Sequence, residues 1–288
     1  MDASTVPKFT IATPSFRSSD WLRLCIASVA DQEGVTLEHI VQDAGSDDGT
    51  LEWLPKDPRV QCFVEKDSGM YDAVNRAWRR ARGEILAYLN CDEQYLPGAL
   101  RAVADYFQAH PEVDIVFGDV VVIGAEGNYR FHRKILPPTL YHTWVCHLAS
   151  LTCATFIRHS FINQHDLYFD SKLRDVGDGD WMVRALHVGA RIASIGQFVS
   201  AFGDTGVNMS TKPNAIREKR ELTAAAPAWA RMLKPAWIVQ HRLRRAAAGI
   251  YSQKPFEYSV YTHASPQTRQ TFPAEHPTFR WQLQSGAP

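Results

Sequence analysis

The chain has no surplus of charge of either sign. Its 288 residues carry 31 Lys plus Arg against 31 Asp plus Glu. The field of the whole molecule therefore steers no nucleic acid toward it, and any polyanion it holds has to be met by local groups. A disulfide framework is missing as well. The five cysteines, Cys25, Cys62, Cys91, Cys146 and Cys153, are odd in number, widely spread and without a CxxC pair, which fits buried thiols in a reducing compartment better than disulfides or a cysteine zinc site. No segment reaches about 18 uninterrupted apolar residues, and no basic stretch followed by an apolar one opens the chain, so a spanning helix and a secretory leader are not expected and the reading is cytoplasmic. Repeats and low-complexity tracts are absent. So are GxxxxGK[ST] and GxGxxG, which means that phosphates are not cradled by a glycine-rich helix start. What remains is an ordinary globular composition, 45% hydrophobic and 22% charged, in a chain long enough to bury a large core.

Along the first hundred residues apolar runs alternate with amphipathic segments. Strands are expected at Phe9–Thr13, Leu37–Asp43, Val60–Glu65 and Glu84–Asn90, with helices from about Ser19 and after Ser68. That alternation predicts a mostly parallel sheet covered by helices. A helix over Pro97–His110 and a strand at Val113–Asp119 begin a second half, which continues through Leu151–Ile157, an Asp-rich turn at Asp175–Asp180 and a helix over Trp181–Val188. The composition shifts near Ser210, where Lys212, Arg217, Lys219 and Arg220 precede a basic, partly apolar stretch from Trp229 to Tyr251. This reads as a helical C-terminal appendage, either docked with a solvated charged face or lying on an anionic membrane surface. The last thirty residues show no clear period; they wrap over the body or pair with another subunit. The expected divisions are 1–100, 101–210 and 211–288.

In doubly wound sheets, ligands bind at the carboxyl ends of strands. Four polar groups follow apolar runs here: Thr13-Pro14-Ser15, Asp43 in Asp43-Ala44-Gly45-Ser46-Asp47-Asp48-Gly49-Thr50, Asp67, and Asn90-Cys91-Asp92-Glu93. Asp47 and Asp48 are read as helix-capping residues. Asp43, a carboxylate at the end of a buried strand, needs a partner, and a nucleobase N–H would serve. Asp92 is placed to hold magnesium or manganese, which take one or two carboxylates and complete their shells with phosphate and water. Asp175, Asp178 and Asp180 are either caps at a helix start or include a general base.

These motifs, taken together and in order, resemble the family-2 glycosyltransferases, an inverting group with a GT-A-type, Rossmann-like α/β fold. The likeness runs over roughly residues 8–208 and includes Glu65-Lys66-Asp67-Ser68-Gly69-Met70-Tyr71-Asp72-Ala73-Val74-Asn75 and Asp178-Gly179-Asp180-Trp181-Met182-Val183-Arg184. The resemblance implies that residues 1–100 bind a nucleotide-sugar donor and residues 101–210 an acceptor. It implies a base cradle of Thr13, Pro14 and Asp43, with Asp67 near the nucleoside. Tyr71, Asp72 and Asn75 would line the donor pocket. It also implies a DxD-like stretch, read here as Asn90-Cys91-Asp92, with Asp92 as metal ligand, and Asp178 as catalytic base with Asp180 beside it. The neutral Asn90 in place of a first carboxylate departs from the family pattern. The expected reaction is transfer from a nucleotide-diphosphate sugar, UDP-linked by preference, to a hydroxyl of a glycan or lipid-linked acceptor in cell-surface polysaccharide synthesis. The competing readings are a sugar-phosphate nucleotidyltransferase, disfavoured by the lack of a glycine-rich basic N-terminal loop, and a non-catalytic sugar- or nucleotide-binding module.

Overall fold

The computed structural model describes residues 6–204 and 213–280. The expected boundary at 210/211, with Ser210 and Lys212, lies outside the described residues. The first half forms as the periodicity requires: β1 (Phe9–Ser15), α1 (Ser19–Ala30), β2 (Leu37–Asp43), α2 (Thr50–Trp53), β3 (Gln61–Val64), α3 (Met70–Arg80) and β4 (Ile85–Tyr88). Strands β1 to β4 pair in parallel in the order β3-β2-β1-β4. Alternate residues of β1 face opposite layers, as a strand's period of two demands. Phe9 and Ile11 pack with Val29 of α1, whereas Ala12 packs with Val74 and Trp78 of α3.

The second half contributes β5 (Glu93–Tyr95), α4 (Ala99–Ala109), β6 (Ile115–Ile123), β7 (Tyr129–Arg133), α5 (Leu140–Val145), β8 (Thr155–Arg158), α6 (His159–His165), α7 (Gly177–His187) and β9 (Ile192–Gly203). Here pairing is mixed. Strand β8 runs antiparallel to both β4 and β6, and β9 lies between β6, to which it is parallel, and β5, to which it is antiparallel. One nine-stranded sheet thus runs through both halves. Strand β6 is buried at all nine positions, as a continuous apolar run with neighbours on both edges should be. Its one glycine is required: a Cβ on Gly118 would lie 2.3 Å from Val199 of β9, at the point where the β6–β9 register shifts.

The extension begins as expected with α8 (Pro213–Ala224), α9 (Ala228–Met232) and α10 (Lys234–Ala247). Beyond it the stretch without a clear period is a hairpin, β10 (Phe256–Thr262) paired with β11 (Ser265–Ala274). The hairpin wraps the body. Arg269 and Tyr261 bind Asp31 at the end of α1, and the Gln94 side chain of β5 exchanges two hydrogen bonds with the Tyr261 backbone at 2.8 and 2.9 Å. All five cysteines are free thiols, and only Cys62 is not fully buried.

Candidate active site

The four strand ends converge on one cleft of about 810 Å³. Pro14, Ser15 and Phe16 line it after β1, Ala44 after β2, Lys66 to Met70 after β3, and Asn90 to Asp92 after β4; Trp21 of α1 and Arg174, just ahead of α7, close it. Of the expected donor residues, Pro14, Asp67, Asn90 and Asp92 reach this wall. Thr13, Asp43, Tyr71, Asp72 and Asn75 are not among its lining residues, and each is engaged elsewhere. Thr13 is fully buried and hydrogen-bonds His39 at 2.9 Å. Asn75 exchanges two hydrogen bonds with the Phe169 backbone, at 2.8 and 2.9 Å. Asp72 pairs with Arg76 at 3.1 Å and accepts the Ser68 N–H at 3.0 Å.

Asp43 finds hydrogen-bond partners within the protein. One oxygen accepts the N–H groups of Gly45 and Ser46 at 2.9 and 2.7 Å, and the other accepts the hydroxyls of Ser15 and Ser46, both at 2.8 Å. Two acceptor positions per oxygen are in use, so the carboxylate's need for partners is met by its own loop and by Ser15 of β1, and its neighbour Ala44 faces the cleft. The capping reading of Asp48 holds: it accepts the Thr50 N–H and hydroxyl and the Ser19 N–H. Asp47 instead pairs with Arg17.

Asp67 and Asp92 line the cleft, with Glu93 buried behind them. Burial pushes the Asp67 carboxyl above its usual range, opposed by the Gly69 N–H that it accepts at 2.9 Å. Glu93, fully buried next to Asp92, is pushed up to about 8, first by burial and then by the Asp92 charge. It accepts the Asn90 N–H at 2.7 Å with one oxygen and leaves the other unpartnered. Asp92 is raised by burial as well, and the loop is clamped by the Gly203 N–H on the Asp92 carbonyl at 3.1 Å.

Helix α7 begins at Gly177, so Asp178 and Asp180 lie in its first turn rather than in a turn before a helix starting at Trp181. Two residues on a helix are about 200° apart, and the two carboxylates diverge accordingly. Asp180 turns to Arg184 at 2.8 Å. Asp178 turns inward to a small pocket walled by Trp78, Tyr88, Phe169, Trp181 and Met182. Its carboxylate accepts the Gly179 N–H at 2.8 Å and the Tyr71 hydroxyl at 3.4 Å, while its own N–H donates to that hydroxyl at 3.2 Å. Burial raises its pKa, against the backbone hydrogen bonds. Tyr71 therefore links α3, whose start lines the cleft, to Asp178.

The cations of the cleft, Lys66 and Arg174, and its aromatic wall at Trp21 were not singled out from the sequence. The requirement for local neutralisation of phosphate was the available signal, but Arg174 sits outside every quoted motif. Glu218 of α8 was missed too. Only 2% exposed, it accepts the N–H groups of Arg174, Asp175 and Val176 at 3.0, 2.9 and 3.1 Å, and so fixes the segment leading into α7.

With this geometry established, comparison with known proteins defines the class. The family model described as Glycosyl transferase family 2 matches residues 10–173, and the chain belongs to that family. A PGL/p-HBAD biosynthesis glycosyltransferase of Mycobacterium bovis is 31% identical over 150 residues, covering 50% of this chain and 58% of the relative. The O-antigen biosynthesis protein RfbC of Myxococcus xanthus is 26% identical over 264 residues, covering 84% of this chain and 20% of its own length. The chain thus spans little more than half of the first relative and a fifth of the second. Among solved structures, S. aureus TarS 1–349 in complex with UDP-GlcNAc superposes with a TM-score of 0.59 at 17% identity, over 83% of this chain and 73% of that one. The mannosyltransferase PcManGT from Pyrobaculum calidifontis, in complex with GDP-Man and Mn2+, gives 0.51 at 17% identity, over 85% and 77%. These likenesses establish the shared GT-A-type fold.

Proposed function

We propose that the chain is an inverting glycosyltransferase that moves a sugar from a nucleotide-diphosphate donor, UDP-linked by preference, to a hydroxyl of a glycan or lipid-linked acceptor in cell-surface polysaccharide synthesis. The observation that carries this reading is the strand-end cleft, which holds Asp92, Lys66 and Arg174 and connects through Tyr71 to the half-buried Asp178. Lys66 and Arg174 supply positive charge for a diphosphate, and Phe16 and Trp21 offer aromatic faces to the nucleoside. Asp178, its pKa raised by burial, takes the proton of the acceptor hydroxyl as that oxygen attacks the anomeric carbon. Tyr71 holds that carboxylate in place. Asp180 is bound to Arg184 and positions α7.

The residues fit a divalent cation. Asp92 faces the cleft with no cationic partner among the described residues, the Asn90 amide stands beside it, and Glu93 keeps an unpartnered oxygen. Asp92 with Asn90 would hold magnesium or manganese, which when bound neutralises charge on the departing diphosphate. Exposed Trp229, Met232, Leu233, Val239 and Leu243 on α9 and α10, interspersed with Lys234 and Arg242, support peripheral contact with the inner face of an anionic membrane. Calorimetric titration with UDP, GDP and dTDP, each with and without manganese, tests the donor reading. Metal-enhanced binding of one nucleotide, weakened by Arg174→Ala, is expected. A folded protein that binds none of the three would refute it in favour of a non-catalytic module.

A further inference from the structure

Away from the cleft, three histidines meet where the C-terminal extension docks on the body. His142 lies on α5, His147 two residues past its end, and His241 on α10. One ligating nitrogen from each comes within 4.8 Å of the other two. The His142 and His241 rings stack at 4.0 Å, and the His147 ring stands edge-on to His142 at 4.6 Å. His142 and His241 are 2% and 8% exposed, and Nε2 of His241 has no hydrogen-bond partner. A buried imidazole nitrogen without a partner costs stability. That nitrogen is free to take a ligand.

We propose that His142, His147 and His241 form a binding site for a transition-metal ion that favours imidazole, zinc foremost, which staples α10 to α5 and is separate from the cation expected at Asp92. Three nitrogens on a tetrahedral zinc, with bonds of about 2.0 Å, lie about 3.3 Å apart. The ligating nitrogens, within 4.8 Å of one another, would draw closer by up to about 1.5 Å to reach that spacing. Burial, then neighbouring histidines and arginines, pushes His142 down to about 3 and His241 to about 4, and His147 is lowered first by burial and then by Lys219 and Arg133. The Cys146 thiol points to the Lys234 carbonyl at 4.0 Å and does not join the trio. A fourth position opens toward a hollow of about 220 Å³ lined by His147, His241, Arg133, Lys134 and Arg245. Those cations favour hydroxide or another small anion as the fourth ligand. Helix α5 packs on α7 through Trp144, edge-on to His187 at 4.7 Å, so an ion here braces the helix that carries Asp178.

The test uses tag-free protein stripped with chelator, kept in excess magnesium to occupy Asp92, and titrated with Co2+ and then Zn2+. Expected are one equivalent of cobalt with the visible absorption of a four-coordinate ion, its displacement by zinc, and a higher Tm in the metal-loaded form. His147→Ala, at an exposed position, and His241→Gln should weaken cobalt binding at least about 10-fold, while Asp92→Asn leaves it intact. Absence of stoichiometric uptake by the wild type, unchanged uptake in His147→Ala, or loss of uptake in Asp92→Asn would overturn the proposal.

Discussion

Replacing Glu218 with alanine should unfold the approach to α7 before anything else in the molecule. This carboxylate holds the N–H groups of three successive residues, Arg174, Asp175 and Val176, and the Asn214 amide at 2.9 Å, in a side chain with 1% exposure. Burial raises its pKa, but the N–H of Asp175, the Asn214 amide and the other two N–H groups together hold it below the usual range. Hydrogen bonds to a charged group contribute about 1.5–3 kcal/mol each, and an orphaned buried donor costs about 1–3 kcal/mol. Water entering the vacated space recovers part of the loss, so Glu218→Ala should cost on the order of 3–5 kcal/mol, and Glu218→Gln, which keeps one acceptor oxygen, roughly half of that. Because the folded pKa is depressed, this stabilisation is complete above the unfolded value of 4.5 and disappears as pH falls through the lower folded one. Urea unfolding at neutral pH measures both variants, and nucleotide titration follows Arg174. A Glu218→Ala protein within about 0.5 kcal/mol of wild type, with unchanged nucleotide affinity, would refute the account of how α8 positions the cleft.

Two further predictions concern the chemistry. Asp178→Asn should lower kcat by about 10²- to 10⁴-fold with nucleotide binding retained. The wild type should lose activity on the acid side at a pH above the ordinary carboxylate range, since a base with a raised pKa is protonated sooner as pH falls; rate profiles of the two proteins decide. Gly69 adopts φ +132° and ψ 176°, and a Cβ there would lie 2.3 Å from the Arg174 guanidinium. Gly69→Ala should therefore cost about 1–3 kcal/mol of backbone strain and displace Arg174, so its loss of nucleotide affinity should not add to that of Arg174→Ala. Full additivity in the double variant would show that the two positions act independently.

Much of the first half was legible because its signals are local. Each strand of the βαβ series is a short apolar run, and each is followed by the turn chemistry that ends it. Partners from distant segments were not legible in the same way. Asp43 was read as needing a partner, with a nucleobase N–H as one that would serve; nothing in the sequence says that Ser15, 28 positions earlier on β1, supplies a hydroxyl. Gly177-Asp178-Gly179-Asp180 are poor helix formers, which is why the helix was expected only from Trp181; it starts four residues earlier, where Tyr71 and Glu218 from distant segments hold its first turn and the residues leading into it. The hairpin escaped for a different reason: β10 alternates Phe256, Tyr258 and Val260 inward, whereas β11 is polar on an edge open to solvent, so only one of its two strands carries a pattern.

Strand β9 gives the shared sequence a different meaning from the one its length suggests. The family match ends at Leu173, yet β9 supplies the sheet partner of β5 and closes the Asp92 loop through Gly203. A fragment cut at the end of the match would leave β5 without its neighbour, discard Arg174 and Asp178, and remove the strand that registers against the whole of β6. In this chain the stretch matched by the family model and the stretch that folds are different lengths, and a deletion series should find its shortest stable product well past Leu173.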